Sequence, residues 1–99
     1  MRGKIVFITG ASSGIGEGCA RKFASQGSDV ILNARNVAKL EELKKELEKA
    51  YDIRVFLLPF DVRDRKAAVD ALASLPENWK AIDVLVNNAG VVFNKKIGM

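Results

Sequence analysis

Apolar residues are gathered in four short runs along the chain, and segments with helical spacing separate one run from the next. The runs lie at Ile5–Thr9, Asp29–Asn33, Ile53–Leu58 and Ile82–Val86. Continuous apolar runs of this length are typical of strands that are buried on both faces of a parallel sheet. The pattern therefore predicts four parallel strands.

The first two intervening segments predict amphipathic helices. The first helix extends over Gly14–Gln26 and ends at Gly27, because glycine readily adopts the left-handed conformation that closes a helix. Asn36 is a suitable capping residue for the second helix. The apolar positions of that helix, at helical spacing, are Val37, Leu40, Leu43, Leu47 and Ala50.

A third helix is predicted to begin after the capping residue Asp64, and Pro76 stops it. We expect four of its residues to face the core: Ala68, Val69, Leu72 and Leu75. Strands that alternate with helices at this spacing require right-handed crossovers and a parallel sheet covered on both faces. The predicted fold class is α/β, a Rossmann-type doubly wound parallel sheet of about four strands in the order 3-2-1-4 with three helices. Residues 1–99 are expected to form one dinucleotide-binding half-domain.

Composition and charge exclude several classes of protein. Of the 99 residues, 48% are hydrophobic and 28% are charged, as in ordinary globular domains. Acidic residues are interspersed with the basic ones, so the net charge of +4 indicates a slight preference for anionic ligands and no nucleic-acid partner. No run approaches the roughly 18 apolar residues of a membrane span, so we expect no membrane partner and a cytoplasmic protein. The chain lacks histidine and its single cysteine, Cys19, is expected in the core, so no metal site is predicted.

The strongest candidate for chemistry is the sequence TGASSGIG between the first strand and the first helix. The first N–H groups of a helix lack internal partners and, with the positive end of the helix dipole, they favour a phosphate. Here Gly10 supplies a tight turn, Gly14 allows close approach of a pyrophosphate, and Gly16 lets the helix touch the strand. Ser12 and Ser13 add hydroxyl donors. A structural turn without a ligand is the alternative interpretation.

Two further motifs follow the later strands. Asp61-Val62 comes after the third strand and Asn87-Asn88-Ala89-Gly90 after the fourth. With the glycine turn, they resemble the N-terminal half of short-chain dehydrogenases/reductases, and the resemblance extends to about Val91. The fourth strand and the charged second helix also resemble the branch that oxidises serine and related 3-hydroxy acids with NADP. The resemblance implies an NADP(H)-dependent oxidoreductase, present here as its cofactor-binding N-terminal portion.

The resemblance also implies individual cofactor contacts. The residues that would surround the pyrophosphate and the neighbouring ribose are Gly10, Ser12, Ser13, Gly14, Ile15 and Gly16. Asp61 would accept a hydrogen bond from the adenine amino group, with the backbone of Val62 beside it. The residues that would line the groove beside the second ribose are Asn87, Ala89 and Gly90. Asp61 as a helix-start carboxylate is an alternative, and for Asn87 and Asn88 we also expect a clasp between neighbouring strands.

The end of the second strand bears on the choice between NADP and NAD. An NAD enzyme needs an acidic residue there to accept a hydrogen bond from the ribose 2′-OH. The chain instead has Asn33-Ala34-Arg35, and the Arg35 guanidinium is a planar donor suited to a phosphate. We therefore predict NADP over NAD, with Ser13 and Asn33 assisting Arg35. A solvated surface arginine is the alternative.

The 99 residues lack the family's catalytic pair, a tyrosine four residues before a lysine. The only tyrosine is Tyr51, and Val55 stands four residues later. We therefore predict no catalytic residue in this chain and no hydride transfer by it alone. Two other interpretations stay open, a stand-alone nucleotide-binding module and a minimal fold without retained function. We also expect self-association through the fourth strand and the tail Val91–Met99, because that strand would form an uncovered edge of the sheet.

Overall fold

The computed structural model describes residues 3–88, which form a four-stranded parallel sheet. The strands are β1 (Ile5–Ile8), β2 (Asp29–Leu32), β3 (Val55–Leu57) and β4 (Val84–Val86). They lie in the order β3-β2-β1-β4, and all three neighbouring pairs are parallel. The predicted strand order is confirmed. Each strand is shorter than its apolar run, because the ends of the runs already belong to the connecting loops.

Three α-helices connect the strands: α1 (Gly14–Ser25), α2 (Val37–Ala50) and α3 (Arg65–Ala73). A short 3-10 helix, Glu77–Trp79, follows α3. Each α-helix begins after a side chain that accepts a hydrogen bond from the backbone N–H three residues later, and these capping residues are Ser13, Asn36 and Asp64. Gly27, after α1, has a φ of 89°, as the predicted left-handed closure requires.

Both faces of the sheet are covered. The first face packs against α1 and α2, and its fully buried side chains include Val6, Ile8, Val30, Leu40 and Leu47. The second face, which carries Phe7 and Ile31, packs against α3 and the 3-10 helix, with Leu75 and Trp79 buried there. Successive residues of β1 therefore point into different cores, as the alternation of a strand requires. Cys19 is half-buried against the first core.

The predicted inward face of α3 is wrong at one position. Val69 is 60% exposed, whereas Ala71 and Leu72 pack against the second core and Leu75 is buried. Residues 68, 72 and 75 follow helical spacing and 71 falls on the same stripe, but 69 lies about 100° around the helix from 68. Ala71 therefore occupies the place that we assigned to Val69.

The outer edge of β3 is covered by side chains from α2. The Lys44 ammonium donates to the Val55 carbonyl over 2.9 Å, and the Glu48 carboxylate accepts from the Val55 N–H over 3.0 Å. Lys44 and Glu48 also contact each other over 3.2 Å. The two ends of an ion pair thus take the hydrogen bonds that a further strand would make with Val55.

Among residues 3–88, no helix is long and apolar enough to cross a membrane. The carboxyl ends of the parallel strands all open toward one edge of the sheet. In open α/β sheets, ligands bind in the crevice at this edge, where the connections from a central strand diverge. The turn after β1 and the loops after β2, β3 and β4 meet here and form the candidate site.

Candidate cofactor site

The turn between β1 and α1 is held by backbone hydrogen bonds. Gly10 has a φ of 62°, a conformation that side chains disfavour. The Ala11 N–H donates to the Asn33 carbonyl over 2.8 Å, and the Ser13 N–H donates to the Gly10 carbonyl over 3.1 Å. Gly10 therefore supplies the tight turn that the sequence predicts.

Gly16 is the point where α1 touches this turn. A Cβ on Gly16 would overlap the Gly10 carbonyl oxygen and lie 2.8 Å from the Asn88 amide nitrogen. By contrast, a Cβ on Gly14 or on Gly18 would meet nothing within 4 Å in the described part of the chain. Gly16 thus permits a close contact of the helix with the turn after β1, whereas the sequence predicted a contact with the strand; the space beside Gly14 is open.

The first turn of α1 leaves two backbone donors available. The Gly16 N–H donates to the Ser13 hydroxyl over 3.3 Å, and the Glu17 N–H donates to the Ser13 carbonyl over 2.8 Å. Within residues 3–88, the N–H groups of Gly14 and Ile15 have no acceptor. The Ile15 side chain beside them is 74% exposed. Two unpaired amides at the positive end of a 12-residue helix suit an anion.

A polar clasp connects the loop after β4 to this turn. The Asn88 amide donates to the Ser13 hydroxyl over 2.7 Å and to the Gly10 carbonyl over 3.2 Å. The Asn88 backbone N–H donates to the Thr9 hydroxyl over 2.9 Å, and that hydroxyl donates to the Asn87 side-chain oxygen over 3.3 Å. The structural role that we expected for Asn87 and Asn88 is therefore present. Thr9, to which the sequence interpretation gave no role, joins both asparagines.

The loops after β1, β2 and β3 enclose a cavity of about 280 Å³. The residues that line it are Gly10, Ser12, Asn33, Ala34, Arg35, Phe60, Asp61, Val62 and Arg63. Of the other predicted contacts, Ser13, Gly14, Ile15 and Gly16 lie along the start of α1, and Asn87 follows β4. Ala89, Gly90 and the tail Val91–Met99 lie outside the described residues.

Asn33, which was predicted to assist Arg35, has its side chain held by the loop after β3. Its side chain is only 1% exposed, and its amide nitrogen donates to the carbonyls of Leu58 and Phe60 over 3.1 and 3.0 Å. Because these bonds use both amide hydrogens, the side chain has no donor left for a phosphate. Asn33 therefore holds the loop after β3 against the end of β2, and its assistance to Arg35 stays a prediction.

Asp61 lies between two arginines at the cavity. The Arg63 guanidinium donates from Nε to one Asp61 oxygen over 3.1 Å and from Nη2 to the other over 3.0 Å. The Arg63 backbone N–H adds a bond of 2.9 Å, and Arg35 Nη1 lies 3.8 Å from Asp61 Oδ2. Chiefly the side-chain hydrogen bond from Arg63, and then its backbone N–H, lower the pKa of Asp61 to about 2. The cap of α3 is Asp64, so Asp61 does not serve as the helix-start carboxylate.

Sequence reasoning missed Arg63. One local signal was present, because an aspartate side chain often accepts a hydrogen bond from the backbone N–H two residues later, which would place Arg63 beside Asp61. Phe60 was also missed. Its carbonyl, like that of Leu58, accepts a hydrogen bond from the Asn33 amide. Within the described residues, no three histidine, cysteine, aspartate or glutamate side chains are grouped to hold a metal ion.

The fold and the site define a Rossmann-type sheet. Its carboxyl edge combines a glycine turn, two helix amides that have no acceptor within residues 3–88, and a cavity lined by two arginines. The chain matches the short chain dehydrogenase family over residues 4–98 and belongs to that family. It is 48% identical over 91 residues to a probable NADP-dependent dehydrogenase of Dichelobacter nodosus, covering 92% of this chain and 82% of that protein. It is 46% identical over 87 residues to the NADP-dependent 3-hydroxy acid dehydrogenase of Escherichia coli K12, covering 88% of this chain and 34% of that enzyme. This enzyme represents the branch that the sequence resembles.

Solved structures give the same family. L-sorbose reductase of Gluconobacter frateurii, solved with NADPH and L-sorbose, has a TM-score of 0.84 and 36% identity, covering 98% of this chain and 37% of that one. Serine dehydrogenase of Escherichia coli has a TM-score of 0.78 and 45% identity, covering 90% of this chain and 39% of that one. The chain thus spans little more than a third of the length of these enzymes.

Proposed function

We propose that this chain is the NADP(H)-binding N-terminal portion of a short-chain oxidoreductase. The observation that carries the proposal is the position of Arg35. It lines the cavity directly after β2, where a family member that uses NAD would have an acid, and its side chain is 70% exposed. A guanidinium in this position offers charge-assisted hydrogen bonds to a 2′-phosphate. The named relatives of this chain are NADP-dependent, in agreement with that chemistry.

The other residues of the site fit a dinucleotide. The amides of Gly14 and Ile15 would bind the pyrophosphate, with the Ser12 hydroxyl nearby, and the open space beside Gly14 leaves room for it. Asp61 would accept from the adenine amino group with Val62 beside it. The contacts assigned to the second ribose are Asn87, Ala89 and Gly90. Bound NADPH supplies the hydride, and this chain binds and orients the cofactor.

The Arg35 assignment is tested by Arg35→Asp. We expect NADPH affinity to fall about 10- to 100-fold, because a charged hydrogen bond contributes about 1.5–3 kcal/mol and each 1.4 kcal/mol is tenfold. NADH affinity should change little. Fluorescence titration with both nucleotides gives the ratio.

Lys45→Glu is the matched control, because it makes the same change in net charge on an exposed residue of α2. It should preserve the NADPH preference. An unchanged NADPH/NADH ratio in Arg35→Asp would contradict the assignment of Arg35.

For the whole protein we propose NADP-dependent oxidation of a hydroxyl group or reduction of a carbonyl group. The 99 residues lack a tyrosine four positions before a lysine, which the family uses for acid–base catalysis. We therefore expect the chain to bind NADPH without oxidising it when ketones are added, and to bind NADP+ without reducing it when 3-hydroxy acids are added. Turnover above background by the pure chain, followed at the NADPH absorbance, would contradict this expectation.

We further propose that copies of the chain associate through β4, in the cytoplasm. Within residues 3–88, β4 forms an edge of the sheet, and its three apolar residues are only half-buried. Unpaired strand edges favour association. Sedimentation over a dilution series should show a species larger than the monomer at tens of micromolar, and a monomer throughout would refute the proposal.

A further inference from the structure

The cavity holds two arginines and one carboxylate, and the three groups are not evenly paired. Arg63 grips Asp61 with two guanidinium hydrogen bonds and one backbone hydrogen bond. Arg35 approaches the same carboxylate only to 3.8 Å and forms no hydrogen bond with it. The side chains of both arginines are about 70% exposed, so neither is fixed by burial. The Asp61 carboxylate is therefore hydrogen-bonded to Arg63 and not to Arg35.

The pairing of Asp61 with Arg63 matters because Arg35 lies close enough to compete for the same carboxylate. Without Arg63, the carboxylate would be free to rotate toward Arg35 and form the close, two-bond pair that arginine and carboxylate groups favour. The paired Arg35 would then have fewer donors for a phosphate, and the carboxylate would offset the positive charge that attracts the phosphate. One residue thus affects both the charge and the donors of the site.

We propose that Arg63 is a specificity-determining positioning residue, which holds the Asp61 carboxylate away from Arg35 and keeps Arg35 available for the 2′-phosphate. The inference rests on the proposed function, since it concerns the same cofactor site. Arg63 itself acts through Asp61 and is not assigned a phosphate contact. The same bonds fix the Asp61 oxygens in place: Oδ1 accepts two of them, whereas Oδ2 accepts one and keeps a lone pair for a further N–H donor.

The test compares NADPH and NADH affinity in the wild type, Arg63→Ala and the double variant Arg63→Ala/Asp61→Asn. In Arg63→Ala we expect the preference for NADPH over NADH to fall about two- to fivefold, the range set by an exposed ion pair. In the double variant the competing carboxylate is gone, so the preference should return to the wild-type value. A general loss of folding would lower the affinity for both nucleotides alike and leave the ratio of the two affinities unchanged.

Two outcomes would overturn the proposal: an unchanged ratio in Arg63→Ala, or a loss that persists in the double variant. The second would mean that Arg63 contacts the phosphate itself. Arg63→Gln, which keeps most of the side chain, guards against a folding defect and should reproduce the loss of preference. If instead the wild type binds neither nucleotide, the proposed function fails, and that result is distinct from either outcome above.

Discussion

The close contact at Gly16 allows a quantitative test of how α1 is seated on the turn. Gly16→Ala adds one methyl group, whose carbon would overlap the Gly10 carbonyl oxygen and lie 2.8 Å from the Gly10 carbonyl carbon. These are backbone atoms of a turn pinned by Asn88 and by Ser13, so they cannot simply rotate away. Overpacking of this kind costs about 1–3 kcal/mol. We expect the upper part of that range.

Gly18→Ala is the matched control, because it lies in the same helix and, within residues 3–88, its new methyl group would meet no atom within 4 Å beyond the backbone of that helix. Both substitutions gain helix propensity, worth up to about 1 kcal/mol in a helix interior. Most of that gain cancels in the comparison, so the difference in the free energy of unfolding measures the overlap. Urea denaturation of both variants should give a difference of about 2–3 kcal/mol. Equal stability of Gly16→Ala and Gly18→Ala would refute the reasoning.

Two further predictions concern the hydrogen bonds of Asn88 and the pairing of Asp61 with Arg63. Asn88→Ala removes two side-chain hydrogen bonds and should lower the free energy of unfolding, measured in urea, by about 1–3 kcal/mol. An unchanged free energy of unfolding would contradict the structural role of Asn88. Asp61 has its pKa lowered to about 2, so its stabilising effect is fully present above the ordinary value of 3.8 and is lost as the pH falls through about 2. Carbon NMR should therefore find Asp61 ionised at pH 3 in the wild type, and protonation at pH 3 would contradict the hydrogen bonds from Arg63.

The sheet could be predicted because its signal is local and repeated. Each apolar run marks a strand, and α2 was bounded correctly by Asn36 because a capping side chain and an apolar stripe agree there. The face of α3 was harder to predict: its helix is short, none of its residues is fully buried, and Val69 is one position away from the stripe that packs. Strand ends were also overestimated, because an apolar residue continues a run whether or not its backbone pairs.

The candidate site was predicted less completely than the fold. The roles of the glycines could be predicted, because a glycine between a strand and a helix indicates a backbone conformation or a close contact that a side chain disfavours. Side-chain partners follow from loops that the fold brings together: Asn33 bonds to residues 25 and 27 positions away, and Asn88 to residues more than 70 positions away. Asn33 was therefore predicted to assist Arg35 from its position after a strand, whereas its bonds to Leu58 and Phe60 are visible only in three dimensions.

The ion pair that covers Val55 limits how copies of this chain can assemble. A fibre grows by strand addition only if each unit offers two open edges, one to receive a strand and one to pass the contact on. Lys44 and Glu48 already hydrogen-bond the backbone N–H and carbonyl of Val55 at the β3 edge. A strand added there would have to displace these two charged side chains. Pairing of β4 with β4 of a second copy uses the same edge on both partners and is complete at two chains. The charged residues of α2 would in this way make the assembly finite, a twofold pair with no exposed β4 edge left for a third chain.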